Sequence, residues 1–268
     1  MSEPDPVSPA KRSPSSRYRH ALVLLTKRDL RVRYSTSALG YLWSILDPLV
    51  MAGIYWFVFS VVFDRGGSIG ETPYIIFLLV VLLPWMWFNG AVSDSTRAFL
   101  KDAKLVRSTS IPRTIWVNRI VASKGVEFLL SIPVLAVFAI VNGAPVGIHV
   151  LLFPVAMVLQ AVLTIGVGML VAPLVVFFRD LERATKLALR FLFYASPIVY
   201  GTTDLPEQLH FWAAFNPLSG IFSLYRSAFF PGQLDLFLVA VSAGMSLLIL
   251  AVGLIVFRRC ERAVLKEL

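Results

Sequence analysis

The chain has one cysteine (Cys260), three histidines and few charges, with Asp, Glu, Lys and Arg making up 15% of its 268 residues. A lone cysteine excludes an internal disulfide framework and any site built from several thiolates. His20, His149 and His210 lie in separate segments, and no pair has the spacing of metal ligands, so no metal site is expected. No G-x-x-x-x-G-K-[ST] stretch occurs. The nearest glycine-rich run, Gly66-Gly67-Ser68-Ile69-Gly70, is followed by Glu71 and lacks the phosphate-binding lysine. If ATP drives this protein, the ATP site is expected in another chain. Residues 1–16 hold four prolines and five serines but no apolar core. That composition predicts a disordered cytoplasmic tail rather than a cleavable signal.

Apolar residues are abundant. They make up 57% of the chain, and the mean hydropathy of +0.75 is too high for a solvated globule. Apolar stretches run at 45–63, 74–92, 120–141, 148–178, 187–200 and 234–257. A helix needs about 20 apolar residues to cross the hydrocarbon. The stretch 148–178 exceeds that and contains Pro154 and Pro173, which predicts tilt or a kink, whereas 187–200 is short. The basic residues decide the count. With six crossings, 23 of the 25 Lys and Arg fall on one side and only Arg65 and Arg226 on the other. Without a crossing at 187–200 the tally becomes 20 against 5. Short loops rich in Lys and Arg stay cytoplasmic. The expected fold is an all-α membrane protein with six transmembrane helices and both termini cytoplasmic. The net charge of +9 belongs to loops facing anionic lipid and gives no reason to invoke nucleic acid.

Four further segments carry expectations. Over 17–36, Tyr18, Ala21, Leu22, Leu25 and Val32 share one helical face, opposite His20, Lys27 and Arg31. This pattern predicts an amphipathic helix along the inner leaflet. Asp47-Pro48 suits an N-cap followed by proline at the first helical position. Over 97–116, Phe99, Leu100, Ala103 and Val106 stand at helical spacing beside Lys101, Lys104 and Arg107, until 108–112 (STSIP) breaks the helix. Such a mixture suits docking to a cytoplasmic protein. Over 204–232, Asp204, Glu207 and Asn216-Pro217 are too polar to span, yet Phe211, Trp212, Phe215, Phe222, Tyr225, Phe229 and Phe230 are too many for a solvated loop. Two short helices entering the outer leaflet, broken at Asn216-Pro217, are expected.

Other classes fit less well. Asp180 and Glu182 could form the acidic pair of a transferase acting on lipid-linked sugars, but Arg179, Arg183 and Lys186 surround them and predict a salt-bridged turn. An ion-coupled carrier usually places charge near the membrane midplane, at a cost of roughly 3 kcal/mol each. Here Lys124 and Glu127, three residues apart, sit near the inner end of span three, where they can pair.

Five stretches together resemble the permease subunit of type-2 ABC exporters, in the branch that exports O-antigen, teichoic acid, capsule and galactan. They are 34–48 (YSTSALGYLWSILDP), Leu105 to Arg113, Arg179-Asp180, Ser196 to Tyr200, and Asn216-Pro217 through Tyr225-Arg226. The resemblance implies two copies of this chain forming a pore in a bacterial inner or plasma membrane. Each copy would rest on a separate ATPase that binds ATP and Mg. It makes 97–116 a coupling segment, with Arg97, Phe99, Leu100, Lys101, Lys104, Val106, Arg107 and Pro112 as its contact residues. It also implies a cargo linked to polyprenyl pyrophosphate, with Arg28, Arg31, Arg33 and Arg179 the basic residues nearest its entry. Tyr55, Trp56, Phe59, Trp85, Trp87, Phe193, Tyr194 and Tyr200 are then candidates for a polysaccharide path.

Overall fold

The computed structural model describes residues 13–35, 39–62, 68–69, 72–109, 111–144 and 147–268, and these are mostly helical. In chain order the helices are α1 (Pro14–Tyr34), α2 (Trp43–Trp56), α3 (Tyr74–Ser95), α4 (Ala103–Ser108) and α5 (Ile115–Val141). They continue with α6 (Phe153–Phe177), α7 (Leu181–Ala195), α8 (Glu207–Ala214), α9 (Pro217–Ser227) and α10 (Leu236–Glu267). A two-residue antiparallel strand pair, Ser68–Ile69 with Thr72–Pro73, precedes α3.

Local chemistry sets the helix ends. Ser13 accepts from the Ser16 N–H with Pro14 in the first turn of α1, so the helix begins earlier than Arg17. Asn216 accepts from Leu218 N with Pro217 opening α9, and Asp235 accepts from the N–H groups of Phe237 and Leu238. α5 ends where Gly143 adopts φ 64, with Gly143 N donating to Ile140 O and Ala144 N to Ala139 O.

Four helices are long and apolar enough to cross a membrane: α3, α5, α6 with its leading turn (Ile148–Phe177), and α10. α3 is the axle of the bundle, because every residue from Ile76 to Trp85 is buried. A helix apolar on all sides belongs between other helices. α5, α6 and α10 keep apolar side chains on their outer surfaces, among them Val137, Val158 and Leu248.

Two sequence expectations shift here. The stretch 45–63 is the short helix α2 continued by a π-helical turn, Phe57–Val62. α2 starts at Trp43 after a turn at Gly40–Leu42, so Asp47 and Pro48 lie inside the helix and Asp47 is not its N-cap. The stretch 187–200 is half helix: α7 starts on the charged side at Leu181 and stops at Ala195, and Ser196 turns extended. Pro197 follows, and the residue before a proline is pushed out of the α region. The break at Asn216-Pro217 falls where the residues indicated, but α4 is shorter than the spacing suggested: it holds Ala103 and Val106, while Phe99 and Leu100 lie in the turns before it.

α6 and α10 cross at glycines. A Cβ on Gly253 would lie 2.3 Å from the Gly166 carbonyl oxygen, and one on Gly166 would lie 2.7 Å from Leu250 Cα. Those obstacles are backbone, which cannot swing aside, and small residues are what let helices in lipid approach so closely. Gly253→Ala is therefore expected to cost about 1–3 kcal/mol by overpacking. Gly244→Ala, with nothing within 4 Å of its Cβ, should leave the thermal midpoint in detergent unchanged or slightly higher. Equal midpoints for the two variants would rule out a close crossing.

Candidate functional site

One end of the bundle gathers a dense set of ion pairs. α5 opens with a buried turn, Ile115 to Val117, and Arg119 follows at 2% exposure. A guanidinium so buried needs partners. It donates to Asp29 of α1 at 2.8 Å and to Asp102 in the turn before α4, and it sits 4.8 Å over the Trp116 ring. Arg28 donates to the same Asp102 carboxylate at 3.0 and 3.1 Å. Arg33 at the end of α1 bonds Asp94 at 2.7 Å and Glu127 at 2.8 Å, and Glu127 also takes the Lys124 ammonium at 2.9 Å. The Lys124–Glu127 pairing is the one the spacing predicts.

Arg28, Asp29, Arg33, Asp94, Asp102 and Arg119 line a cavity of about 860 Å³ between α1, the turn after α3 and the start of α5. Five cations (Arg28, Arg33, Arg97, Lys101, Arg119) face three carboxylates (Asp29, Asp94, Asp102) along its wall. Of the four arginines proposed for a pyrophosphate, the structure brings Arg28 and Arg33 to this cavity. Arg31 and Arg179 are exposed and do not line it. Both Arg28 and Arg33 hold carboxylates, so an incoming anion would exchange for these partners.

The segment after α3 is not an apolar docking face throughout. Phe99 is 2% exposed and packs against Phe257 of α10 with ring centroids 5.8 Å apart, and Val106 is fully buried. The expectation that Phe99 and Val106 present themselves to a partner is corrected: the chain's own bundle covers both. What the segment offers outward is Leu100, 38% exposed, with Arg97, Lys101, Lys104, Arg107 and Pro112. Arg97 also ties it to α7 through Glu182 at 2.6 Å, and Lys186 adds a bond at 2.7 Å. This is the salt-bridged turn that the charges around Asp180 and Glu182 predict. Bonding to Arg97 first, and then to Lys186, holds the Glu182 carboxyl at about 2 instead of 4.5. The stabilising contribution of the link is thus complete above about pH 4.5 and is lost as the pH falls toward 2.

Five of the eight candidate path aromatics meet. Tyr55 stacks on Phe193 at 5.4 Å, and Trp85 meets Phe193 edge-on at 5.5 Å. Tyr194 abuts Phe193 at 5.1 Å, and Tyr200 O–H donates to the Tyr194 carbonyl. This cluster joins α2, α3 and α7. Trp87 is elsewhere: it donates to the Val121 carbonyl at 3.1 Å and stacks on Phe128 at 5.3 Å, so it belongs to the α3–α5 packing and leaves the path set. Trp56 is exposed and outside the cluster, and the Phe59 side chain lies outside the described residues.

At the opposite end, Leu218 to Phe230 is buried without a break. Gly220 N donates to Ser242 Oγ on α10, and a Cβ on Gly220 would lie 2.2 Å from the Leu238 carbonyl oxygen. Arg226 donates to the carbonyls of Ile198 and Tyr200 at 2.7 and 2.9 Å, with its guanidinium 3.7 Å over the Phe77 ring. Phe222, Tyr225, Phe229 and Phe230 are thus interior residues, while Phe211, Trp212 and Phe215 of the α8 region remain exposed. Sequence reasoning assigned Arg226 no role. Its one signal was a single arginine inside an otherwise uncharged run.

Residues 20–230 match the family model of the ABC-2 type transporter. An O-antigen export system permease protein, RfbA of Klebsiella pneumoniae, is 34% identical over 241 residues, covering 90% of this chain and 92% of that protein. A protein of the same name from Myxococcus xanthus is 30% identical over 219 residues, 81% of this chain and 83% of the relative. The polysialic acid transport protein KpsM of Escherichia coli is 25% identical over 254 residues, 89% and 92% of the two chains.

The burial of Phe99 separates two roles within one segment. Phe99→Ala is expected to cost about 3–5 kcal/mol and to lower the thermal midpoint in detergent clearly. Leu100→Ala should stay within about 0.5 kcal/mol of the parent protein. A midpoint insensitive to Phe99→Ala would contradict its packing against Phe257.

Proposed function

We propose that this chain, which belongs to the ABC-2 type transporter family and is a multi-pass membrane protein, is the permease subunit of an ATP-driven polysaccharide exporter. The observation that carries this reading is the 34% identity, across nine-tenths of both chains, to an O-antigen export permease. Two copies form the conduit in a bacterial inner or plasma membrane, with both termini cytoplasmic. Each copy is served by a separate ATPase subunit, which binds the ATP and Mg. The cargo is a polymer linked to polyprenyl pyrophosphate and moved from the cytoplasm to the outer side.

The geometry supports a division of labour. α2 with its π turn, and α7 with Ser196 to Tyr200, complete six crossings with the four long helices. α8 and α9 are re-entrant on the outer side. Burial of α9 favours this placement, since irregular backbone at membrane depth survives only when protein covers it. Leu100, Lys101, Lys104 and Arg107 are the surface that meets the ATPase. Arg28 and Arg33 offer planar forks to the pyrophosphate by exchanging their carboxylate partners. The cluster of Tyr55, Trp85, Phe193, Tyr194 and Tyr200 gives sugar rings apolar faces to slide along, without demanding one sugar sequence.

Reconstitution with the ATPase subunit tests the coupling. Joint replacement of Lys101, Lys104 and Arg107 by Glu is expected to leave the permease folded, to weaken ATPase recovery, and to abolish polymer-stimulated hydrolysis. Retention of both would remove this surface from the interface. Topology has its own assay. In a Cys260→Ser background, Gln208→Cys should react with an impermeant thiol reagent added to intact cells, and reaction only after permeabilisation would refute the outer placement of α8.

A further inference from the structure

Three elements meet at one buried side chain. Asp29 lies two-thirds of the way along α1, Asp102 in the turn that precedes α4, and Arg119 in the first turns of α5. Arg119 bonds both carboxylates, and its 2% exposure leaves no water to take their place. Arg28 binds Asp102 from α1, so that carboxylate is held by two guanidiniums on two different helices. The charges balance, two against two. Withdrawing Arg119 would leave Asp29 and Asp102 without the buried partner they share, which is the costly arrangement, whereas Arg28, 39% exposed, can leave Asp102 still held by Arg119.

A second contact fixes direction. Tyr18 O–H lies 3.3 Å from Thr114 Oγ1 and accepts from Asn118 Nδ2 at 2.7 Å. Tyr18 and Asp29 are three turns apart on α1, and both are bound to the opening turns of α5. One attachment permits rotation about itself. Two attachments three turns apart do not.

We infer that Arg119 is a positioning residue that fuses α1, the 97–109 segment and the inner end of α5 into one rigid body, so that a push on the exposed face of that segment reaches a membrane-crossing helix without loss. The inference rests on the exporter reading above, which supplies the push. It also gives the buried pairing a use beyond stability. The surface that meets the ATPase bears on Asp102, which lies between Lys101 and Lys104, and Asp102 has no freedom to move apart from α1 and α5.

The test uses the complete complex of the permease with its ATPase, in lipid nanodiscs and a Cys260→Ser background. Spin labels at Lys27→Cys on α1 and Ser108→Cys at the end of α4 report the separation of the two elements, and both residues are exposed. With labelled permease diluted by unlabelled copies, so that only distances within one copy are read, a narrow distribution is expected in otherwise unsubstituted protein, the same without nucleotide and with ATP trapped. Arg119→Lys keeps the charge but offers no planar fork to two carboxylates. Asp102→Asn keeps the shape but unbinds two guanidiniums. In either variant the distribution should broaden and become nucleotide-dependent, and polymer exported per ATP should fall about tenfold, the size of an ordinary coupling between sites. A merely structural role would lower recovery of the complex without altering the distance or that ratio in the molecules recovered. A distance that changes with nucleotide in the unsubstituted protein, or an unchanged ratio in both variants, overturns the inference and leaves the exporter reading standing. An unsubstituted complex that hydrolyses ATP and exports nothing overturns both.

Discussion

Hydrocarbon offers no partner to a peptide N–H or C=O, and an unsatisfied group there is expensive. The architecture of this chain follows from meeting that constraint where the backbone is not a plain helix. Serine and threonine within the long helices return their hydroxyls to their own backbone, as Ser131 does to Phe128 O and Ser246 to Ser242 O. Gln160 reaches across to the Pro84 carbonyl of α3. The extended turn after α7 is harder to satisfy, because its carbonyls have no helical successor. Arg226 supplies the missing donors to Ile198 and Tyr200. Its cost of burial is offset by those bonds and by the Phe77 ring beneath it. An arginine that looks misplaced in the sequence thus lets α7 end early and α9 enter the bundle.

Close approach completes the same logic. With lipid as solvent, apolar side chains gain little from choosing a neighbouring helix over a lipid tail, so van der Waals fit and backbone contact decide the packing. Gly166 and Gly253 let α6 and α10 touch backbone to backbone, and Gly220 does so for α9 on α10. α3, buried along its upper length, fills the space these crossings leave.

Much of this was legible beforehand, for identifiable reasons. Length with apolarity found α3, α5, α6 and α10. The breaks at Asn216-Pro217 and after Ser108 were read correctly because they are local, whereas the cap read at Asp47-Pro48 falls inside α2. What escaped was long-range. Phe99 and Val106 carry the same helical signature whether they face a partner or their own bundle, and only Phe257, more than 150 residues away, settles which. Trp87 was grouped with path aromatics by type, yet its N–H finds the Val121 carbonyl and its ring finds Phe128. Arg119 entered the reading only as topology-setting charge and Arg28 as a candidate pyrophosphate residue, because pairing with Asp29 and Asp102 leaves no trace in periodicity.

The two ends of the molecule solve the problem of buried charge differently, and the difference bears on how each end works. At one end Arg226 meets two neutral carbonyls and the face of the Phe77 ring, with no carboxylate bonded to it. At the charged end Arg119 meets two full charges and is the buried partner that both share. The aromatic cluster of α2, α3 and α7 lies between them in the chain's architecture. Of these helices, α7 is bonded to the inner segment through Arg97 and Glu182 and to the outer turn through Ser196, which accepts from Asn216. α7 is therefore the element bonded to both ends of the bundle.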